Sequence, residues 1–290
     1  MQVNSIDRSN RRAWTDKSAI VVGASSGLGR CLVDRLAEQG AACVLLVARD
    51  RGRLAAVVDE LAGRWPQSKF DLCAADMSTA EGGLAFKQAI EGSDRRFDLL
   101  INAAGASDRG LAMKLTFERL DELMRANVHA TLQAIQLAAS AMAPAGVIVN
   151  IGSLSSYFAP RYLGGYSMAK HALRALTQQM RLELKESGLH VMLVCPGPIA
   201  REQPRPSTSA SPTSRYAELA SAQDVPPAAL ASAGGAKLKG LDPRALAVDI
   251  LQAAADRRLE LIRPRKARWL VWLIALCPGW GETALRRMTQ

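Results

Sequence analysis

The sequence predicts an α/β fold with a doubly wound sheet of about seven mostly parallel strands. From Ser18 onward, short runs rich in Val, Leu and Ile alternate with longer segments in which apolar residues recur every three to four positions, as expected of strands alternating with amphipathic helices. The short runs are almost wholly apolar, which is typical of strands covered by helices on both faces. With 290 residues, of which 49% are hydrophobic, the chain can bury a large core.

The individual strands and helices follow from these patterns. A late helix is expected to begin at Asp242-Pro243, because Asp is a favoured N-cap and Pro fits the first helical turn. The predicted strands are Ser18–Val22, Ala42–Ala48, Lys69–Ala74, Asp98–Ile101, Val147–Ile151, Val191–Cys195 and Leu259–Ile262. The other predicted helices include Gly29–Gln39, Leu54–Gly63, Phe117–Met142 and Tyr166–Glu186.

Composition divides the chain into three parts. Residues 1–15 are polar and charged, which predicts a flexible N-terminal tail, and residues 16–263 are expected to form one domain. Within that domain, residues 201–240 are rich in Pro, Ser, Ala and Gly, and a loop of this length is usually either functional or disordered. Residues 264–290 form an appendage that combines basic and apolar residues.

The bulk charge and the cysteines limit the classes of partner. A net charge of +10 favours a phosphorylated cofactor, an acidic lipid surface or nucleic acid. Basic residues are not clustered with interleaved aromatics, so no nucleic acid partner is expected. The five cysteines lack a CxxC or His-rich grouping, which predicts buried thiols in a reducing compartment and no metal site. Because the N-terminus has no apolar stretch, we expect a cytoplasmic protein.

A glycine-rich segment follows the first predicted strand directly. It reads Gly23-Ala-Ser-Ser-Gly27-Leu-Gly29 and opens a predicted helix, where a dinucleotide-binding βα unit needs small residues. Gly23 would permit the tight turn, Gly27 would let the backbone approach a pyrophosphate, and Gly29 would let helix and strand pack closely. Glycine clusters also occur in ordinary turns, but the position between strand and helix favours a phosphate loop.

The end of the second strand indicates which dinucleotide is bound. Folds that bind NAD usually present a carboxylate to the adenosine ribose at this point, whereas this strand ends in Ala48-Arg49. A guanidinium would attract the 2′-phosphate of NADP, with Ser25 as a second donor. The alternative is that Arg49 only begins a solvated helix together with Arg51 and Arg53.

Three side chains point to proton transfer. Tyr166 and Lys170 lie four residues apart at the start of a predicted helix, and therefore on the same face one turn apart. A lysine ammonium lowers the pKa of a nearby phenol, which makes tyrosine usable as an acid or base near neutrality. Ser153 follows the strand Val147–Ile151 at the end where open α/β sheets bind ligands, so its hydroxyl could donate to a substrate carbonyl. A capping or turn serine is the alternative for Ser153.

Taken together, these motifs resemble those of the short-chain dehydrogenase/reductase family over residues 16 to 200. Asn102-Ala-Ala-Gly105, Asn127 and Pro196-Gly197 complete the family's motif order. The resemblance implies a Rossmann-like fold and an NADP(H)-dependent oxidoreductase that interconverts a carbonyl and an alcohol on a small or apolar substrate. It also implies a homo-oligomer, since family members commonly associate.

The resemblance implies a role for each residue of the proton-transfer group. Tyr166 would be the general acid/base, and Lys170 would lower the tyrosine pKa and bind the nicotinamide ribose. Ser153 would polarise the substrate oxygen, and Asn127 would hold a water molecule in the proton relay.

The resemblance also implies the residues that contact the cofactor. Asp76 and the backbone of Met77 would contact adenine, while Pro196-Gly197 and the backbone of Ile199 would bracket the nicotinamide. The full set is Gly23, Ser25, Ser26, Gly27, Leu28, Gly29, Arg49, Asp76, Met77, Asn102, Ala103, Gly105, Tyr166, Lys170, Pro196, Gly197 and Ile199.

The chain departs from the family's pattern at several positions. Ala103 replaces the second Asn of an Asn-Asn-Ala-Gly motif and Gly152 replaces a common Ser, and both changes leave the chemistry intact. Arg201 stands where many members carry a Thr beside the nicotinamide. In the family the segment after Pro196-Gly197 covers the substrate, so residues 201–240 would form a substrate lid.

The C-terminal appendage admits three interpretations. Its apolar segment, Trp269 to Leu276, follows a basic cluster and could lie on an anionic membrane surface with Trp at the interface. It could instead pack on a neighbouring subunit or cap the substrate funnel. The unbroken apolar run from Trp269 to Cys277 would cover only about 13 Å as a helix, against roughly 30 Å of bilayer hydrocarbon, and cannot span a membrane alone.

A second class of function is a non-catalytic, cofactor-sensing or lipid-associated binding protein on the same fold, because a fold does not define a function. The combination of Asn127, Ser153, Tyr166 and Lys170 favours the enzyme. A pure binding protein has no need of a phenol with a matched ammonium.

Overall fold

The computed structural model describes residues 13–200 and 240–288 of the chain. Its strands are β1 (Ser18–Val22), β2 (Cys43–Ala48), β3 (Lys69–Ala74), β4 (Phe97–Asn102), β5 (Met142–Ile151), β6 (His190–Pro196) and β7 (Glu260–Arg263). Its helices are α1 (Gly27–Glu38), α2 (Arg51–Arg64), α3 (Ala80–Glu91), α4 (Phe117–Met124), α5 (Ala130–Ala138), α6 (Gly164–Glu183), α7 (Pro243–Ala255), α8 (Ala267–Leu276) and α9 (Pro278–Met288).

The seven strands form a single parallel sheet in the order β3-β2-β1-β4-β5-β6-β7. Helices α1, α2 and α7 cover one face, where Leu32 and Ile250 are fully buried. Helices α3, α5 and α6 cover the other face, where Phe86 and Ile135 belong to a second core. Every residue of β1 is buried, which explains its nearly continuous apolar sequence. The predicted doubly wound α/β fold is confirmed.

The sheet has a topological switch point between β1 and β4. From β1 the chain builds outward through β2 and β3, then crosses to β4 and continues on the other side. The connections that leave β1 and β4 therefore diverge at their carboxyl ends, where open α/β sheets form a ligand crevice.

The single helix predicted over Phe117–Met142 is wrong. The chain forms α4, then a π-helical turn over Arg125–His129, then α5. Within the turn, Asn127 Nδ2 donates to the carbonyl of Leu123 at 2.8 Å, so a side chain bonds the i−4 carbonyl that the regular backbone pattern would use. The predicted last residue of the helix, Met142, already belongs to β5, which begins five residues earlier than predicted.

Helix α3 is absent from the predicted helices. It contains the pair Gly82-Gly83, and glycine lowers helix propensity by roughly 1 kcal/mol relative to Ala. A close contact accounts for Gly82, because a Cβ at this position would lie 1.9 Å from the carbonyl oxygen of Asp76. The N-cap Thr79 accepts a hydrogen bond from the Gly82 amide and helps to begin the helix.

In the appendage, α8 and α9 form a helical hairpin after β7. The turn between them is short, because α8 ends at Leu276 and Pro278 already begins α9, in keeping with the preference of Pro for the first helical turn. Gly281 lets the two helices approach, since a Cβ there would lie 2.6 Å from Ile274 Cγ1. Among the described residues, no helix is long and apolar enough to cross a membrane.

Two predicted segments fall mostly outside the described residues, namely the tail over 1–15 and the lid over 201–240 with Arg201. Trp14, near the end of the tail, is buried and its Nε1 donates to the carbonyl of Leu251 at 3.2 Å. The two flanks of the lid segment are joined by a parallel bridge between Ile199 and Leu241. The segment therefore leaves and re-enters the domain at one place.

Removal of the α7 N-cap tests the local basis of that helix. The carboxylate of Asp242 accepts hydrogen bonds from the amides of Arg244 and Ala245 at 3.3 and 3.1 Å. We expect Asp242→Ala to lower the free energy of unfolding by about 1 kcal/mol, measured by denaturant titration. Asp242→Asn keeps an acceptor and should stay within a few tenths of a kcal/mol of the native protein. Equal losses in both variants would contradict the capping role.

Candidate functional site

The predicted site residues lie around the carboxyl edge of the sheet, in the segments that follow β1 to β6 and on helices packed beside them. In the glycine segment, a Cβ on Gly23 would lie 2.7 Å from the amide nitrogen of Ala104, and a Cβ on Gly29 would lie 2.1 Å from the carbonyl oxygen of Gly23. Backbone packing thus requires glycine at both positions. At Gly27, by contrast, a Cβ would meet nothing within 4 Å beyond its chain neighbours and its own helix, so this side of the residue is open to a phosphate group.

The start of α1 favours the binding of an anion. Ser26 is the N-cap, but its side chain makes no capping hydrogen bond, and the first turn carries no acidic residue. The first N–H groups of a helix have no intrahelical partner and attract negative charge. Ser25 and Ser26 are partly or fully exposed here, whereas Leu28 is buried and anchors the helix.

Arg49 and Asp76 meet at the ends of the adjacent strands β2 and β3. Their side chains approach to 3.9 Å, and the Arg49 side chain is 82% exposed. Helix α2 begins only at Arg51, with Asp50 as its N-cap, so Arg49 lies in the loop and does not begin the helix. Partial burial acts to raise the pKa of Asp76, but hydrogen bonds from Ser78 and the charge of Arg49 outweigh it and hold that pKa below its usual range.

Neighbouring Met77 is buried beneath Asp76. Its carbonyl accepts a hydrogen bond from Gln133 Nε2 at 3.2 Å, and the same nitrogen donates to the carbonyl of Thr79 at 2.9 Å. The loop after β3 is therefore fixed to α5.

A buried polar chain links β4, β5 and α6. Asn102 Nδ2 donates to Asn150 Oδ1 at 2.9 Å, and Asn150 Nδ2 donates to Thr177 Oγ1 at 3.1 Å. The two asparagines are direct partners in the sheet register. Neither Asn150 nor Thr177 was predicted as part of the site. The signal for Asn150 was available, since it is the single polar residue in the otherwise apolar run Val147–Ile151.

Beyond Ala103, which packs against the core, Gly105 separates two polar groups. A Cβ on Gly105 would lie 2.7 Å from Asn127 Oδ1 and 3.5 Å from Lys170 Nζ. Asn127 is fully buried, and its Nδ2 donates to the carbonyls of Ala106 and Leu123. Its Oδ1 has no hydrogen-bond partner among the described residues. A buried acceptor and a lysine ammonium therefore face one small space that glycine keeps open.

Lys170 is the buried cation of the site. It is 5% exposed, and its Nζ donates to the carbonyl oxygen of Ile151 at 3.0 Å. The same nitrogen lies 5.8 Å from the ring centroid of Tyr166, one turn earlier on α6. Burial lowers the pKa of Lys170 to about 8, so the side chain is still mainly protonated at neutral pH. The predicted pair is thus brought together and held against the end of β5.

Ser153 is both a capping residue and a potential donor. Its Oγ accepts a hydrogen bond from the amide of Ser155 at 3.1 Å, while its own amide donates to Ser156 Oγ at 3.2 Å. A hydroxyl that accepts one bond still has its proton to donate. Gly152 makes room for this arrangement, because a Cβ there would lie 2.9 Å from Ser156 Oγ. Both interpretations of Ser153 are therefore compatible.

The segment after β6 is fixed by its neighbours. The amide of Gly197 donates to the carbonyl of Arg263 at 2.7 Å, and Pro196 is buried in the sheet. In the bridge to Leu241, the amide of Leu241 donates to the carbonyl of Pro198, and the amide of Ala200 donates to the carbonyl of Leu241. Because backbone groups alternate in direction along an extended chain, the N–H and C=O of Ile199 point away from Leu241. They are available to a ligand on the other side.

A second tyrosine near the site has a different environment. Burial and a hydrogen bond to Glu260 raise the pKa of Tyr157 well above its usual range. The guanidinium of Arg174 lies 4.2 Å from the centroid of its ring. Tyr157 is therefore a neutral phenol that ties the end of β5 to β7, whereas Tyr166 has the neighbouring ammonium. This structural pair was not predicted.

Comparisons with known proteins found a matching family and similar proteins. The family model described as short chain dehydrogenase matches residues 17–210, which is more than half of the chain. An uncharacterised oxidoreductase of Staphylococcus saprophyticus is 29% identical over 184 residues, which cover 63% of this chain and 78% of that protein.

Solved structures are similar over most of the chain. A short-chain dehydrogenase from Sphingobium yanoikuyae in complex with NADPH has a TM-score of 0.67 and 25% identity, and the match covers 91% of this chain and 94% of that one. L-sorbose reductase from Gluconobacter frateurii, complexed with NADPH and L-sorbose, has a TM-score of 0.71 and 20% identity over 87% and 96% of the two chains. The latter likeness concerns the fold alone.

The lowered pKa of Lys170 predicts a pH dependence of stability. Between pH 8 and the ordinary lysine value of 10.5, the unfolded chain binds a proton that the folded chain does not, so this residue makes stability rise with pH. The cost is fully present below pH 8 and disappears above 10.5. The free energy of unfolding of the native protein minus that of Lys170→Met should therefore increase by up to about 3 kcal/mol across this window.

Denaturant titrations of both proteins at several pH values would measure this difference. Lys185, an exposed lysine beyond the end of α6, offers a control for the replacement of a lysine by methionine. A constant difference for Lys170→Met would contradict the buried ammonium.

Proposed function

The chain belongs to the short-chain dehydrogenase family and is an enzyme of the oxidoreductase class, and we propose that it interconverts a carbonyl and an alcohol with NADP(H) as cofactor. The proposed substrate is a small or apolar molecule, and Tyr166 is the proposed general acid/base. The observation that carries the proposal is the position of Lys170. Its buried ammonium is bound to the carbonyl of Ile151 and lies 5.8 Å from the Tyr166 ring centroid.

Burying a cation is costly, which gives this observation its weight. Removal of an ammonium from water is unfavourable unless other groups compensate, and the lowered pKa of Lys170 reflects that cost. In the described part of the chain, its hydrogen-bond partner is a single backbone carbonyl. A stabilised phenolate at Tyr166 provides a functional reason to keep the cation, whereas a binding protein on this fold has no need of a phenol paired with an ammonium.

The residues around the glycine segment fit a dinucleotide. The open space at Gly27 and the uncapped start of α1 suit a pyrophosphate. Asn102 Oδ1 is a second buried acceptor without a partner among the described residues. Support for NADP(H) comes from the exposed guanidinium of Arg49 and from the NADPH complex of the Sphingobium yanoikuyae enzyme. When bound, the nicotinamide ring donates or accepts the hydride.

The chain's own residues would transfer the proton and stabilise the negative charge that remains on the tyrosine. In the direction of reduction, Tyr166 Oη gives its proton to the substrate oxygen, and in the direction of oxidation it takes a proton from the alcohol. The positive charge of Lys170 stabilises the phenolate that forms. Ser153 Oγ, oriented by the amide of Ser155, donates a hydrogen bond to the same substrate oxygen.

Asn127 would complete the proton path. Its unpartnered Oδ1 and Lys170 Nζ both face the space beside Gly105. A water molecule in that space could accept from the ammonium and donate to Oδ1, so Asn127 would orient a water molecule that exchanges protons with Lys170. The π-helical turn at residues 125–129 holds the amide group in this position.

Association into a homo-oligomer, a cytoplasmic location and the substrate lid over residues 201–240 stay predictions from the sequence. The bridge at Ile199 and Leu241 supports the lid only by placing both ends of that segment beside Gly197.

The role of Tyr166 can be tested with Tyr166→Phe. Loss of the acid/base should lower kcat by about 10²- to 10⁴-fold, while the Kd for NADPH measured by fluorescence titration stays nearly unchanged. Tyr162→Phe removes a nearby hydroxyl and keeps the ring, and we expect it to retain activity. NADPH oxidation across a panel of ketones, aldehydes and quinones supplies the assay. Full activity of Tyr166→Phe would exclude the proposed role.

The cofactor preference can be tested with Arg49→Gln. Loss of a charge-assisted contact to the 2′-phosphate should raise the KM for NADPH about tenfold or more and should change the KM for NADH little. Arg51→Gln, which removes an exposed guanidinium two residues later, should leave the ratio of the two constants unaltered. Equal changes for both coenzymes in Arg49→Gln would refute the assignment.

A further inference from the structure

The C-terminal hairpin exposes a set of large apolar side chains, which we call the α8 patch. It consists of Trp269, Trp272, Leu273 and Leu276 on α8 and of Trp280 on α9. Trp269, Leu276 and Trp280 are 80%, 73% and 77% exposed. Isolated exposed apolar residues are common, but a contiguous group usually marks an interaction surface.

The spacing and packing of the hairpin place these side chains together. The four residues on α8 follow the i, i+3, i+4, i+7 pattern of one helix face. Gly281 packs against Ile274, a residue on the less exposed side of α8, and this contact positions α9. The patch is therefore a largely exposed surface of a packed hairpin.

The rest of the described protein does not cover α8. No residue of this helix is fully buried, although none after Arg268 is charged. Two patch residues, Trp272 and Leu276, also line an open groove of about 890 Å³ against β7, together with Val271 and Ala275. A helix that is apolar all round is normally buried or in contact with lipid.

Unpaired positive charge adjoins the patch. Arg265, Lys266 and Arg268 precede or open α8, are exposed, and have no ion-pair partner among the described residues. By contrast, the guanidinium of Arg263 is paired with Asp249. Residues 264–288 contain five basic residues and one acidic residue, so the surface as a whole is cationic.

We propose that the α8 patch and the adjoining basic residues dock the protein on the surface of an anionic lipid bilayer. Tryptophan prefers the interface between headgroups and acyl chains, and Lys and Arg near it are attracted by acidic headgroups. The charge favours lipid over a second copy of the chain, because a two-fold contact through this surface would bring like charges together. The proposal is independent of the catalytic assignment.

Vesicle flotation of the full chain tests the proposal. The protein should float with vesicles of phosphatidylcholine and phosphatidylglycerol at low salt and bind far less to pure phosphatidylcholine. Tryptophan emission should shift to shorter wavelength, since three of the five tryptophans lie in the patch. High salt should weaken binding through screening.

Two sets of variants separate the charge from the apolar contact. Neutralising Arg265, Lys266 and Arg268 with Gln should lower the partition coefficient about 100-fold, at about fivefold for each charge. Replacing Trp269, Trp272 and Trp280 with Gln should lower it about tenfold for each residue. These side chains are exposed, so thermal unfolding should change little.

Matched controls carry the same changes elsewhere. Arg51, Arg95 and Lys185 are exposed basic residues outside the appendage, and Leu84 and Leu182 are exposed apolar residues on α3 and α6. Their replacement by Gln should leave flotation unchanged, and an equal loss in these controls would overturn the proposal. Absence of flotation, or a dimer in sedimentation that the tryptophan variant converts to monomer without lipid binding, would also overturn it.

Discussion

The hydrogen bond from the Lys170 ammonium to the carbonyl of Ile151 joins α6 to the end of β5. The position of Tyr166, which lies on the same face of α6, depends on this bond. The open space that Gly105 leaves beside Asn127 depends on it as well. Because the cation is buried, a small displacement of α6 would leave it without compensation, and the cost would be large. The geometry of the site is therefore coupled to the packing of a helix on the sheet.

Close backbone contacts at glycines fix the other half of the candidate site, since they leave no room for a side chain. Gly23 touches the backbone at Ala104 and is itself touched by Gly29, which locks α1, β1 and the loop after β4 together. The Asn102–Asn150–Thr177 chain then connects that loop to α6 through the interior of the sheet. Glycine contacts on one side and amide hydrogen bonds on the other thus connect the glycine segment to the helix that carries Tyr166 and Lys170.

Local patterns in the sequence predicted the sheet and indicated most of the residues proposed for the site. Strands such as Ser18–Val22 were identified because burial on both faces requires continuous apolar residues, and the Asp242 cap because its chemistry is local. The π-helical turn at Asn127 was not identified, since it involves a contact with the backbone of Ala106, 21 residues away. The helix containing Gly82 was not identified, since the pair Gly82-Gly83 lowers its helix propensity. The Tyr157–Glu260 pair joins residues far apart in the chain, and no local pattern indicates such a pair.

The bridge between Ile199 and Leu241 has a consequence for protein engineering. It joins the two flanks of the intervening segment with hydrogen bonds of 2.8 Å, so the length of that segment should have little effect on the sheet. Loop-closure entropy grows slowly with length, by about 0.6 kcal/mol for each doubling. Segments of different length could therefore be exchanged between Ala200 and Gly240 without rebuilding the sheet.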